Sequence, residues 1–296
     1  MRVRELGELL KAAAQGWVDD YAQSMGAALA YYTMFSLAPL LLIVISIAGL
    51  IFGDAAARGE LFDQLADLLG PKGAMAVQGL LESMRKPAQG VTATIFGFVL
   101  LVVGATSVFG ELQDALDRIW HVPGKSHGGG LWKLVRARLL SSAMILAIGF
   151  LLMVSMVAGA TLSALRKRWH PLASDWTSVA SVAEPLASVV VTTIVFAMIY
   201  KLVPRIWVAW KDVWIGAIVT ALLFTLGKFL IGLYIGESGI ASGFGAAGSL
   251  VVVLVWVYYS AQVFLFGAEF TWVYAHKFGS RREFGLDKSV EPPASA

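Results

Sequence analysis

What most constrains this chain is the recurrence of uncharged apolar stretches long enough to cross a bilayer. Ala28 to Gly53, Val91 to Gly110, Leu139 to Leu165 and Leu250 to Ala268 contain no charged residue. A hydrocarbon core about 30 Å thick takes roughly 20 helical residues, and helices or closed barrels alone satisfy their backbone inside it. Two further stretches qualify with few charges: Glu184 to Val203 carries Lys201, and Val213 to Gly236 carries Lys228. The expected fold is therefore all-α, a polytopic membrane protein with six spans at about 28–53, 91–110, 139–165, 184–203, 213–236 and 249–276. With 58% hydrophobic and 15% charged residues, the composition lies outside the range of soluble domains.

The segments between the spans have their own patterns. Val3, Leu6, Leu10, Ala13, Trp17 and Tyr21 recur at steps of three and four, which predicts an amphipathic helix on the membrane surface over residues 1–27. Those residues lack a signal-peptide core, so the first span is expected to serve as its own insertion signal. Asp19 and Asp20 fit a solvated face or a cap for the next helix. Leu61, Phe62, Leu65, Leu68 and Leu69, closed by Gly70-Pro71, predict two short extracytoplasmic helices within 54–86. Pro39 should bend or locally open the first span, and Pro185 suits the first turn of the fourth. The tail 277–296, with Pro292-Pro293, reads as disordered.

Charge asymmetry predicts the orientation. Segments on the N-terminal side hold 15 of the 23 lysines and arginines and the opposite side holds 7, which places both termini in the cytoplasm. The net charge of +3 then needs no nucleic acid to explain it. The chain has no cysteine, hence no disulfide and no thiol nucleophile.

Several words of the sequence occur in an order that resembles the YihY/BrkB family of bacterial inner-membrane proteins. They are Asp19-Asp20, Ala30-Tyr31, Ser36-Leu-Ala-Pro39, Leu116-Asp-Arg-Ile-Trp120, Val203-Pro204 with Asp212 and Gly216, Leu222-Leu-Phe-x-x-Gly-Lys228, and Trp256-Val-Tyr258 with Leu265-Phe-Gly-Ala-Glu269. The resemblance implies six spans with cytoplasmic termini. Members of that family carry the labels ribonuclease BN, widely regarded as a misassignment, and virulence factor BrkB, and others are tied to export of lipid A precursors.

Lys228 and Glu269 are the sharpest candidates for function, because a charge at membrane depth costs several kcal/mol unless it meets a partner or water. Helical rise puts them about 8 to 12 Å apart in depth, so a direct bridge would need tilt or snorkelling. Glu269 is instead expected in an inner-leaflet polar cluster with Glu111, Asp114, Arg136 and Arg138. Such a cluster either fixes helix register as a buried network or lines a cavity in which Lys228 draws an anionic headgroup and Glu269 gates it or takes up a proton. Tyr31, Ser36 and Pro39 on the first span, and Gln262 on the sixth, are the remaining cavity candidates.

Asp117 and His121 stand one turn apart with His127 nearby, too few ligands for a metal site, so no metal or cofactor is expected. No Walker loop, H-x-x-x-H or G-x-S-x-G is present. Trp207, Trp210, Trp214 and Lys211 read as an interfacial belt. The favoured expectation is a transport or lipid-handling protein, working as a facilitator, by proton coupling or with an energy-supplying partner. An envelope scaffold is the alternative and a ribonuclease the remoter one. Membrane lipids, anionic ones included, are the expected partners, with an envelope protein or a second copy of the chain beside them.

Overall fold

The computed structural model describes residues 3–84, 107–122, 176–237 and 248–284. Most of the second span, the whole third span, Arg136, Arg138, His127 and the chain beyond 284 lie outside the described residues. What is described is helical, with no strand among those residues: α1 (Val3–Asp19), α2 (Ala22–Phe52), α3 (Asp54–Met84), α4 over 107–119, α5 (Trp176–Leu202), α6 (Trp210–Glu237) and α7 (Gly248–Lys277). A 3-10 turn, Arg282–Phe284, follows. Among the described residues, Trp210–Tyr234 and Leu250–Lys277 are long and apolar enough to cross a membrane, and Ser188–Leu202 is a shorter apolar helix.

Helix α7 is the hub, packing against α1, α2, α3 and α6. Two apolar cores divide its length. One gathers Leu9 and Ala13 of α1, Met25 and Leu29 of α2, Leu116 and Ile119 of α4, Tyr200 of α5, Val213 and Ala217 of α6, and Leu265 and Val273 of α7. The other joins Leu41 and Ile45 of α2, Val77 and Leu81 of α3, Ile231 of α6, and Val252 and Val253 of α7. Helices α2 and α6 therefore run away from the first core and α7 returns to it. The N-terminal helix and the end of α7 share one end of the bundle, where Lys277 Nζ meets Glu8 Oε2 at 2.7 Å.

Several local expectations change. One side of α1 is covered by protein, with Leu9 and Ala13 fully buried, while Leu6 and Tyr21 of the expected surface face are exposed. Removing one such leucine from water stabilises the packing by roughly 1.5 to 3 kcal/mol. Asp20 does not cap α2. Tyr21 takes that position in a left-handed conformation (φ 58°) with no side-chain cap bond. Asp20 turns instead to His121, Oδ1 to Nε2 3.7 Å.

Pro39 does not open its helix, since α2 is continuous from Ala22 to Phe52. Helix α5 starts at Trp176, so Pro185 lies well inside it; the residues from Trp176 to Glu184 hold neither glycine nor proline to stop the helix earlier. After Gly53, whose φ of 89° suits a residue without Cβ, the chain reverses into α3. That helix is assigned as one element, yet Arg58, Leu61 and Phe62 line the same pocket of about 170 Å³ as Gln78, Leu81 and Glu82. A straight helix would hold Arg58 and Glu82 about 36 Å apart. Helix α3 therefore folds back on itself between these groups, and Gly70-Pro71 lies in that interval, where a proline bend is expected.

Candidate functional site

The pairing of α6 with α7 is set by glycines facing hydroxyls. A methyl added to Gly216 would overlap Thr271, one on Gly267 would overlap Thr220 and crowd Tyr200, and one on Gly227 would come within 2.6 Å of the Tyr259 hydroxyl. Small residues at such points let helix backbones approach where no hydrophobic force drives association in lipid. The hydroxyls are in turn satisfied. Thr220 donates to Gly216 O (2.7 Å), Thr271 to Gly267 O (2.7 Å) and Tyr200 to Phe264 O (2.8 Å), with Tyr200 and Thr220 oxygens 3.1 Å apart. All three residues are fully buried. An unpaired hydroxyl there would cost about 1 to 3 kcal/mol, so the network holds one register.

That register decides how the two membrane charges relate. Lys228, next to Gly227, stands at the level of Tyr259, ten residues from Glu269 on α7, which is about 15 Å along the axis. The structure thus widens the separation expected from the sequence and does not bring the pair together. Lys228 is half-exposed and makes no ion pair or hydrogen bond among the described residues. Its chain neighbours Leu226, Phe229 and Leu230 are exposed.

Glu269 is 0% exposed. It lies beneath α1, where the missing side chain of Gly16 leaves room for its carboxylate: a methyl there would stand 2.5 Å from Oε2 and 3.1 Å from Cδ. Around this roof stand His121, whose ring lies 5.3 Å from that of Trp272, and His276, 4.3 Å from Trp272 and donating from Nδ1 to Trp272 O at 2.9 Å. The indole N–H groups of Trp17 and Trp120 are buried without an acceptor among the described residues. Gln262 lies against Gly26, its Nε2 donating to Gln23 O at 3.4 Å while its Oε1 finds no donor among those residues.

Beside the roof the α5–α6 loop is clamped to α4. Arg205 donates from Nη1 to Asp117 Oδ2 (2.8 Å), from Nη2 to Gln113 Oε1 (2.7 Å) and from its backbone N–H to Asp117 Oδ1 (2.8 Å), and Gln113 returns a bond to Val203 O (3.0 Å). Asp114 is 3.7 Å from the same guanidinium, so its charge is drawn to Arg205. Asp212, almost fully buried at the start of α6, accepts from the backbone and hydroxyl of Ser280 (3.0 and 2.6 Å). Arg281 donates to Trp207 O (2.7 Å), and burial lowers its pKa against the opposing pull of Asp212.

The other candidates scatter. Ser36 is buried and donates to Thr33 O (3.1 Å), and Tyr31 is exposed, with its ring edge-on to Tyr32 and Phe35. Glu111 is half-buried on α4. Asp117 serves Arg205 and His121 serves Asp20, and no group of three metal-ligating side chains occurs among the described residues. Arg205, Ser280, Gly16 and the Tyr200–Thr220 pair carry no sequence signal of their own. Asp117, Asp212 and Gly216 do sit inside the motif words quoted above.

The profile of the family described as virulence factor BrkB matches residues 13–291. A UPF0761 membrane protein of Pseudomonas aeruginosa (strain PAO1) is 28% identical over 262 residues, 88% of this chain and 61% of that relative. One from Stenotrophomonas maltophilia (strain K279a) is 26% identical over 261 residues, 85% of this chain and 57% of the relative. One from Tolumonas auensis is 28% identical over 252 residues, 82% and 77% of the two chains. The chain thus spans about three fifths of the length of the first two. No solved structure matches significantly.

Proposed function

Because the chain belongs to the virulence factor BrkB family, whose curated relatives are named membrane proteins, we propose that it is a multi-pass protein of the bacterial inner membrane that moves an anionic envelope lipid or small molecule. In this reading it has six spans and both termini in the cytoplasm. The meeting of α1 with the end of α7 and the lysine and arginine asymmetry both support that orientation.

The observation that carries the reading is Glu269, a carboxylate wholly buried near the end of a membrane-length helix and roofed by a separate amphipathic helix. A buried acid of this kind is a functional hypothesis by default. Its covering element is a separate helix, seated on the core through Leu9 and Ala13 and tied at the rim by an exposed ion pair worth little on its own, so the core packing sets most of the cost of lifting it. Lys228 serves as a second station about 15 Å further along, where an ammonium without a carboxylate partner among the described residues attracts an anionic headgroup.

The test is movement of a fluorescent anionic phospholipid across proteoliposomes containing the wild type, Lys228→Gln, Lys228→Arg and Glu269→Gln, each checked for folding by thermal stability in detergent. Folded Lys228→Gln should slow movement at least tenfold while Lys228→Arg retains it. Wild-type vesicles no faster than empty ones would overturn the transport reading.

A scaffold in envelope assembly is the second reading, favoured by the bent α3, which presents exposed Asp63, Gln78 and Glu82 at the end of the bundle away from α1. It expects unchanged lipid movement in every variant and loss of a partner on substitution of these three.

A further inference from the structure

We propose that the α5–α6 junction is a binding site for the phosphate headgroup of an anionic phospholipid resident at the membrane interface. The proposal does not depend on the chain being a transporter.

The loop from Val203 to Ala209 curls around the end of α5 so that Lys201 Nζ donates to Val208 O at 2.5 Å and lies 4.6 Å from the ring centroid of Trp207 and 5.6 Å from that of Trp210. Two indole faces and one carbonyl hold the ammonium in place, and no carboxylate among the described residues pairs with it. Lys211 follows on α6, exposed and without a partner among the described residues. Three other cations of this end are placed differently: Arg205 faces Asp117, Lys277 faces Glu8, and Arg281 lies beside Asp212. The rings of Trp207, Trp210 and Trp214 are exposed, at 66%, 49% and 41%, and they stand where the apolar helices Ser188–Leu202 and Trp210–Tyr234 end and begin.

Exposed tryptophans at such a point sit at headgroup level, since the ring is amphipathic. Two unneutralised lysines in the same band complement a phosphodiester. Each basic residue near an anionic surface favours binding by about fivefold, the factor that roughly 1 kcal/mol corresponds to. The occupant that meets all of these features is the surrounding membrane's own anionic phospholipid, with its phosphate on Lys201 and Lys211 and its glycerol against the indoles.

Full-length protein in detergent, offered equal amounts of phosphatidylglycerol and phosphatidylethanolamine with identical acyl chains, is read by native mass spectrometry. The wild type should retain phosphatidylglycerol preferentially, and millimolar inorganic phosphate should not displace it. Lys211→Gln should cut the preference about fivefold, and Lys201→Gln at least as much. Lys211 is exposed and has no polar partner among the described residues, so its variant keeps the experiment readable even where Lys201→Gln does not fold. Equal retention of both lipids by the wild type, displacement by free phosphate, an undiminished preference in Lys211→Gln, or one kept by folded Lys201→Gln would each overturn the proposal.

Discussion

Gly16 of the N-terminal helix lies directly over the carboxylate of Glu269, close enough that a single methyl would stand 2.5 Å from Oε2. The contact joins residues more than 250 positions apart and turns a glycine in an otherwise helix-favouring segment into a packing requirement. It also makes the position of α1 readable through small substitutions.

Gly16→Ala should destabilise the protein, because overpacking costs about 1 to 3 kcal/mol and the gain in helix propensity returns at most about 1. Gly7→Ala, on the same helix with nothing within 4 Å of the added Cβ, should stabilise it by about 0.5 to 1 kcal/mol. Thermal unfolding of the two variants in detergent should shift in opposite directions. Equal shifts would remove the roof from the account.

The rim of the roof should respond to acid. Lys277 lowers the Glu8 pKa, first through its hydrogen bond and then through its charge, with a smaller contribution from Arg4. A carboxyl whose folded-state value is depressed supports the docked form fully above the ordinary glutamate range, and the support is lost as pH falls through the lowered value. The contact of Glu8 with Lys277 is therefore insensitive around neutrality and weakens only as pH falls below the ordinary glutamate range. The chain has no cysteine, so nitroxides at Lys11→Cys and Arg282→Cys report α1 alone. Because Leu9 and Ala13 keep α1 on the core, the distance distribution between the nitroxides should broaden only slightly from pH 7 to pH 3.5, and Glu8→Gln should show the same slight broadening at pH 7.

Gly267→Ala should be among the most damaging small substitutions, since the new methyl meets Thr220 and Tyr200 in a fully buried contact. A loss of about 3 kcal/mol or a misfolded protein is expected. Thr220→Ala should relieve part of the overlap while Tyr200 keeps its bond to Phe264 O. The double variant should then be more stable than the sum of the two singles, a coupling of at least about 0.5 kcal/mol measured by thermal unfolding.

Arg205→Lys should not replace arginine. Its two guanidinium nitrogens reach Asp117 and Gln113 at once, a fork geometry that an ammonium cannot reproduce. Because the arginine side chain is 39% exposed, the loss should be modest, about 1 kcal/mol. Asp117→Ala should cost more, about 2 kcal/mol, since Asp117 is 11% exposed and also accepts from the Arg205 backbone. Faster proteolysis between Val203 and Trp210 would report both.

Reading along the chain anticipated the helices better than their meetings. Gly248 to Lys277 is visible as a membrane helix because apolarity over that length leaves the backbone no other way to satisfy itself. The fold-back in α3 has its local mark in Gly70-Pro71. The interior place of Pro185 and the uninterrupted helix at Pro39 do not follow from residue type, because the other hydrogen bonds of a long helix can outweigh the one that a proline removes. Nothing near Asp20 indicates His121, which lies 101 positions away, and nothing near Asp212 indicates Ser280.

From its amino acids alone, this protein could be read as helical and built for a membrane, with Lys228 and Glu269 as charges to be explained, since hydropathy and backbone hydrogen bonding act within a single segment. Which partners those charges have is a tertiary matter. The interlock of Gly216 with Thr271 and Gly267 with Thr220 sets Lys228 and Glu269 about 15 Å apart, and Gly16 puts a roof on one of them. Helix register and rotation depend on notches and side chains far apart in the chain, and these come together only in the packed bundle.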